Sequence, residues 1–406
     1  LVAERPMLGY GPEALDLVFP RAYPPELVYY EGRGVLVDRA HNLLLDWAAT
    51  TGVVGVLAQG ALLALFFVVG WRAAQRAVDP GRRALLAGCV AGVGGNVAGN
   101  LVGFDTTATA TATALLMALV VGLARQGSPG GMVQATRERA GRPLPVAAIA
   151  ALILSAAAGL GVVLGQINLR PLAADAALLA SDRRAVAENW RGAAEAAERA
   201  VAFWPREPAY RRALSWAWLQ WAAQPGVESE AGFERAESAL LAARDLRPGE
   251  VRTWAALGEL YGRWGNRLDA ARLPLADESF GRAIELAPNL ATLYASWGMV
   301  DLEGGRWVEA AARFRQAVDL DATDGYAFAH LGEAELAVGH IAEAEAAYRH
   351  AVRWAPDLSA AHAGLARCLW LQGRWAEAEE ALARALVLDP SQPAARVLDK
   401  EMGMSP

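Results

Sequence analysis

The sequence predicts an all-α protein in which a polytopic transmembrane helix bundle is followed by an α-solenoid built from helical repeats. Three observations lead to this fold class. The chain has 406 residues and is 54% hydrophobic, a higher fraction than soluble domains usually have. Residues 52–166 contain four uncharged apolar stretches, each about long enough to cross a bilayer. Residues 172–390 repeat with a period of 34 residues, which is typical of stacked helical hairpins.

Each apolar stretch is predicted to be a transmembrane helix, because a buried helix of a soluble protein rarely runs this far without a charge. Arginines cluster in the loops after the first and third stretches, which should therefore be cytoplasmic. Residues 1–51 then form an extracytoplasmic loop, and everything after the fourth span lies outside as well. The predicted spans are residues 52–71, 84–104, 106–124 and 144–166.

The net charge, the first residues and the cysteines further limit the kinds of protein and partner that fit this sequence. The net charge of −6 argues against a nucleic-acid partner. The chain begins with Leu1, without a signal-peptide pattern, and we expect it to be the C-terminal part of a longer protein with earlier membrane spans. Cys89 and Cys368 fall in an apolar stretch and a repeat helix, so we expect no disulfide, zinc site or redox role.

Two asparagines one helical turn apart, Asn96 and Asn100, lie among glycines in the second predicted span. Polar side chains in a membrane are costly and usually face another helix. One interpretation is an interhelical hydrogen bond between closely packed helices. The other is a polar wall of a substrate cavity.

The repeats resemble tetratricopeptide repeats, because period and internal offsets agree together. A glycine ends the first helix, an alanine allows close approach, and a large residue four positions later fills the gap. The resemblance implies a tetratricopeptide-repeat domain over residues 172–402, with about six units and a groove for a protein or peptide partner. Tryptophans at repeat positions are predicted to pack in the core. The residues that show the pattern are Trp297, Gly298, Gly305, Trp307, Ala310, Phe314, Gly332, Gly339, Ala344, Tyr348, Gly373, Trp375, Ala378 and Leu382.

The segment before the first span carries a second set of motifs: a Gly-x-Gly turn, an aromatic loop, and a His-Asn pair that opens an apolar run. This segment, over about residues 5–124, resembles the O-antigen ligase and polymerase family of bacterial inner membranes. The resemblance implies a multi-pass protein of the bacterial cytoplasmic (inner) membrane with its repeat domain extracytoplasmic. The residues that match are Gly9, Gly11, Phe19, His41, Asn42, Leu45, Gly52 and Gly55.

Members of that family transfer a glycan from an undecaprenyl-diphosphate carrier to a hydroxyl of a glycan, lipid or protein acceptor, without a metal or other cofactor. By this resemblance His41 is the catalytic residue, and a neutral imidazole can take a proton from an attacking hydroxyl. Arg39 is the nearest cation for the diphosphate, with Arg33 behind it. Asp38 could orient the imidazole ring, and Asn42 completes the substrate-binding candidates. An interfacial histidine and membrane-flanking arginines are the alternative interpretations.

Two hypotheses for the function follow. The first is the C-terminal portion of a glycan ligase or polymerase with an external repeat domain. The alternative is a non-catalytic, membrane-anchored tetratricopeptide-repeat scaffold of the cell envelope.

Overall fold

The computed structural model describes residues 1–11, 14–27, 33, 42–100, 107–125 and 169–403. Within these ranges the regular structure is entirely helical, in seventeen α-helices joined by turns and short 3₁₀ segments. The chain divides into two compact units. One comprises Leu1–Phe19 with Leu36–Gly165, and the other Pro20–Val35 with Gln166–Pro406. The predicted span 144–166 lies outside the described residues.

The described residues of the first unit form one short helix and three long ones. Two of the long helices pack through an apolar cluster that includes Phe66, Leu86 and Val93, and Val120 of the third joins it. The Asn96 side-chain amide donates a hydrogen bond to the Thr113 hydroxyl at 3.0 Å, between the second and third long helices. This contact agrees with the interhelical interpretation of the asparagine pair. The helices are α1 (Leu15–Val18), α2 (Leu43–Arg76), α3 (Pro80–Asn100) and α4 (Thr107–Arg125).

Helix α2 is the candidate membrane crossing. Among the described helices it is the one that combines sufficient length with sufficient apolar character to span a bilayer. Helix α3 begins with a proline and two arginines and is rich in glycine, and the apolar part of α4 is the shorter stretch Ala112–Ala124. The described helices therefore support one candidate crossing and do not support the polytopic bundle that the sequence predicts.

The second unit is a stack of helix pairs closed by a final helix. In each pair a first helix packs antiparallel to a second, and the next pair follows after a short turn. The first helices are α5 (Arg170–Val186), α7 (Pro208–Ala222), α9 (Val251–Arg267), α11 (Ala291–Glu303), α13 (Gly325–Val338) and α15 (Ser359–Leu371). The second helices are α6 (Trp190–Phe203), α8 (Ser229–Leu246), α10 (Leu273–Leu286), α12 (Trp307–Leu320), α14 (Ile341–Trp354) and α16 (Trp375–Leu388), and α17 (Pro393–Met402) ends the stack.

The repeat residues explain how each pair closes. Gly305, Gly339 and Gly373 adopt positive φ angles of 70°, 97° and 76° in the turns between paired helices, a conformation that favours glycine. The predicted core position is correct for Trp297, which is 8% exposed, and wrong for Trp307 and Trp375, which are 38% and 56% exposed. Each of these two opens the second helix of its pair, so the ring leaves the interface before the helices meet.

Candidate partner-binding groove and the predicted catalytic segment

The structure locates only part of the predicted catalytic segment. His41, Arg39 and Asp38 lie outside the described residues. Asn42 is the N-cap of α2, and its side-chain oxygen accepts hydrogen bonds from the amides of Leu44 and Leu45 at 3.0 and 3.1 Å. Such a cap stabilises a helix by about 1 kcal/mol. Capping thus gives Asn42 a structural role whatever else it contacts.

A break in α2 joins the two glycine motifs of the first unit. Gly52 has φ 64° and ψ −171° inside the helix, which frees the carbonyls of Ala49 and Thr50. Those carbonyls accept hydrogen bonds from the amides of Tyr10 and Gly11 at 2.9 and 2.8 Å.

The amides freed by the same break find acceptors in the same segment. The Val53 amide donates to the Pro6 carbonyl at 2.8 Å, and the Val54 amide donates to the Met7 carbonyl at 3.2 Å. Four hydrogen bonds to residues 6–11 therefore replace two bonds of the helix. Periodicity alone could not predict this arrangement, because it pairs α2 with a segment distant from it in sequence.

Arg33, a predicted substrate-binding residue, lies against the repeat stack. Its guanidinium Nε donates to a carboxylate oxygen of Asp321 at 2.6 Å, and a terminal nitrogen donates to the Thr323 hydroxyl at 2.9 Å. A carboxylate oxygen of Asp324 is 3.5 Å from the same Nε. In this structure the guanidinium is therefore engaged by an inter-repeat loop.

The second unit contains a groove of about 610 Å³. Helices α13, α15 and α17 form its walls, and the Tyr348 ring contributes to its floor. Tyr326 and Val397 stand at its rim with 57% and 56% of their surface exposed. We call this the α13–α17 groove. Its lining includes Tyr326, His330, Leu336, Ala363, Arg367 and Val397.

Polar groups in the α13–α17 groove are few and are already oriented. The His330 ring stacks on Phe314 with 5.5 Å between ring centres, and its Nδ1 is 3.4 Å from a Glu333 carboxylate oxygen. Arg367 forms an ion pair with Glu401 and lies 4.8 Å from the Trp370 ring centre. Burial raises the pKa of the Tyr348 hydroxyl above its usual range, so this side chain stays neutral. The groove thus offers a mainly apolar surface with mixed charges at its edge, which suits apolar side chains of a peptide.

Buried carboxylates form contacts between neighbouring repeats and within a single repeat. Although burial alone would raise it, the pKa of Glu345 is lowered because Gln372 and Arg374 donate hydrogen bonds to the carboxylate. The Gln372 bond is 2.7 Å long and crosses from α14 to the turn after α15. Asp301 accepts from Arg306 at 2.8 Å, yet its pKa is raised because burial outweighs that partner. These contacts rigidify the stack.

The sequence pattern did not identify the groove residues. Tyr326 and Val397 lie outside the repeat positions that identify the units in the sequence, and nothing in their spacing separates them from ordinary surface residues. The informative signal is exposure, which requires the structure.

A tetratricopeptide-repeat family model matches residues 335–398. The second unit contains tetratricopeptide repeats. Solved structures resemble parts of this chain at low identity. They include MamA (21% identity, 40% of this chain and 92% of that one, TM-score 0.35), PilF of Pseudomonas aeruginosa (14%, 57% and 99%, TM-score 0.43), and YrrB, described as having an unusual peptide-binding site (18%, 51% and 99%, TM-score 0.36). No curated protein matches the chain.

Proposed function

We propose that the tetratricopeptide repeats form a scaffold module that binds a protein partner through a peptide segment held in the α13–α17 groove. The observation that carries this proposal is the groove itself, with its apolar lining and its exposed rim residues Tyr326 and Val397. A peptide whose apolar side chains enter the groove would bury this surface, and its backbone could hydrogen-bond to polar groups at the edge.

The test is selection of random displayed peptides on the full chain, followed by measurement of their affinities by fluorescence polarisation. We expect the selected peptides to share apolar anchor residues. Val397→Asp should weaken binding about tenfold or more, because a charge would enter the apolar contact. Val387→Asp is the matched control, since Val387 is 72% exposed and belongs to α16, outside the groove. Peptides that bind both variants equally well would refute the assignment of the groove.

A second candidate function is glycan transfer from an undecaprenyl-diphosphate carrier, at the outer face of the bacterial inner membrane. One observation favours it: the hydrogen bonds of residues 6–11 to the region around Gly52 bring together two of the motifs on which the family resemblance depends. Under this proposal His41 is the general base, and Arg39 and Asp38 assist it.

Replacement of His41 by Ala in the full-length protein tests the second candidate. We expect loss of the surface glycan with normal protein abundance, because the attacking hydroxyl would lose its proton acceptor. Leu44→Ala, at an exposed position in the first turn of α2, serves as a structural control. Unchanged surface glycan in the His41 variant would contradict glycan transfer and leave the scaffold as the remaining proposed function.

A further inference from the structure

The segment Pro20–Val35 groups with the repeats although it precedes all the long helices in sequence. Two of its described residues contact inter-repeat loops exactly one repeat apart in sequence. The Asn289 side-chain amide donates to the Tyr23 carbonyl at 3.1 Å, and the Thr323 hydroxyl accepts from Arg33 at 2.9 Å. Asn289 and Thr323 occupy equivalent repeat positions. Tyr23 and Arg33 therefore contact two successive inter-repeat loops.

The contacts around Arg33 form a specific receptor for a guanidinium group. Asp321 uses one carboxylate oxygen for its own loop, accepting from the Thr323 amide and hydroxyl at 3.0 and 2.7 Å. Its other oxygen accepts from Arg33. Asp324 divides its oxygens in the same way, because one caps α13 through the Tyr326 and Ala327 amides at 3.0 and 3.1 Å and the other faces Arg33.

The last inter-repeat loop provides an internal comparison. Asp389 occupies the position equivalent to Asp321 and accepts from the Ser391 amide and hydroxyl at 2.8 and 2.7 Å. The position equivalent to Asp324 is Gln392, which caps α17 through the Ala395 amide. The same turn thus forms with a single carboxylate, so the second carboxylate of the 321–324 loop is not needed for the turn.

The burial of Asp321 also indicates that this loop is built to bind a cation. The Asp321 side chain is only 2% exposed, whereas Arg33 is 42% exposed. A buried carboxylate needs a cation or several donors, and Arg33 supplies the cation. Tyr23 is also buried, at 2% exposure, so the segment is packed as well as hydrogen-bonded.

We propose that the loop Asp321–Asp324 is an arginine-binding site whose occupant is Arg33, and that this anchor helps to hold residues 20–27, the strap, against the tetratricopeptide repeats. Arg33 is then an anchor of this strap and not a ligand of a diphosphate. The groups that hold the guanidinium, on Asp321, Thr323 and Asp324, do not line the α13–α17 groove, so the proposal does not depend on the proposed partner binding.

Hydrogen–deuterium exchange of the full chain tests the strap. In Arg33→Ala the backbone amides of residues 20–27 should exchange about fivefold faster or more, because the anchor is lost. Arg33→Lys should give an intermediate increase, since an ammonium group cannot reproduce the planar donor fork. Asp324→Asn should also accelerate exchange while retaining the cap of α13.

Two variants serve as matched controls. Arg21→Ala removes an exposed arginine of the same segment, and Asp389→Asn changes the equivalent turn, which no arginine of the described residues contacts. Both should leave exchange of residues 20–27 unchanged. The thiol of Cys368, buried in α15, should remain unreactive in every variant, which shows that the repeats are folded. Unchanged exchange in Arg33→Ala with folded repeats would overturn the proposal, as would equal acceleration in Arg21→Ala.

Discussion

A single residue, Gly52, decides the course of the first long helix. Its backbone is in the left-handed region, and a Cβ atom there would overlap the backbone of Met7. The opposing Gly9, at φ 65°, is equally close to the backbone of Thr50. Both positions therefore require glycine for two independent reasons, conformation and space.

Gly52→Ala should destabilise the first unit by about 2 kcal/mol or more, because the new methyl group forces strain and separates residues 6–11 from α2. Gly60→Ala, in an ordinary helical position with open space around it, should have the opposite sign and stabilise by about 0.5–1 kcal/mol. Denaturant-dependent labelling of the buried Cys89 thiol measures both. Similar midpoints for the two variants would contradict the prediction.

The charge of a single residue, Glu345, also contributes to the free energy of unfolding. Its pKa is lowered in the folded chain, so its contribution to stability is present above the ordinary value near 4.5 and is lost as the pH falls through the folded pKa. Glu345→Gln should therefore cost about 1–3 kcal/mol at neutral pH, with a smaller difference from the parent chain in acid.

Urea unfolding followed by tryptophan fluorescence at neutral and acidic pH tests this prediction. Glu379→Gln, at an exposed position of α16, is the control and should be nearly neutral. A pH-independent loss in Glu345→Gln would show that the charge is not responsible.

At the scale of the elements, the two helices of a pair pack closely where a small residue of the first helix lies against a large side chain of the second. A Cβ atom added at Gly332 would lie 2.9 Å from the Tyr348 ring, and one at Gly298 would lie 3.1 Å from the Phe314 ring. The next unit has Ala366 with Leu382 at the same positions, both fully buried. A smaller partner thus accommodates the larger alanine.

Gly332→Ala should destabilise the repeats by about 1–3 kcal/mol through overpacking against the ring. Combining it with Tyr348→Leu recreates the pair found in the next unit, and the double variant should be more stable than the two single effects predict by addition. The rate of Cys368 labelling in denaturant reports the result, because burial raises the pKa of this thiol to about 12 in the folded state. Additive effects would mean that the two positions are not coupled.

The sequence predicted the helices and turns of the repeats better than the exposure and long-range contacts of their side chains. Helical pairing and the glycine turns follow from the 34-residue period, since Gly305, Gly339 and Gly373 recur at fixed offsets. The exposure of Trp307 and Trp375 does not follow, because a periodic pattern does not show where one helix leaves the next. The Arg33 site and the hydrogen bonds around Gly52 join residues distant in sequence, and such contacts have no local signature.

For the whole molecule, the apolar surface of α2 has the clearest consequence. Leu57, Leu62 and Leu65 are each about 60% exposed, at 66%, 58% and 61%, which is unfavourable in water and favourable in lipid. We propose that α2 anchors the chain in a membrane, with Arg33 and the repeats together on the extracytoplasmic side, which requires at least one further crossing after α2.

The chain should then remain with membranes after alkaline extraction, and Leu62→Arg should reduce the inserted fraction, since arginine at the centre of a span costs about 2.5 kcal/mol or more. Gln59→Arg, a charge at an already polar position, is the comparison and should have the smaller effect. A cysteine introduced at the exposed Ser391 should react with a membrane-impermeant reagent in intact cells. Protection of that cysteine would place the repeats in the cytoplasm.

The exchange of hydrogen bonds around Gly52 also limits how the protein can be shortened. A chain that began at Leu43 would keep every residue of α2, yet the amides of Val53 and Val54 would have lost the acceptors that residues 6–11 supply. Two bare donors in an apolar setting cost several kcal/mol, so the truncated helix would either straighten or recruit a foreign strand of backbone. The first eleven residues therefore supply the hydrogen-bond partners that α2 needs at its break. A tag fused directly at Leu43 would leave the backbone around Gly52 without them.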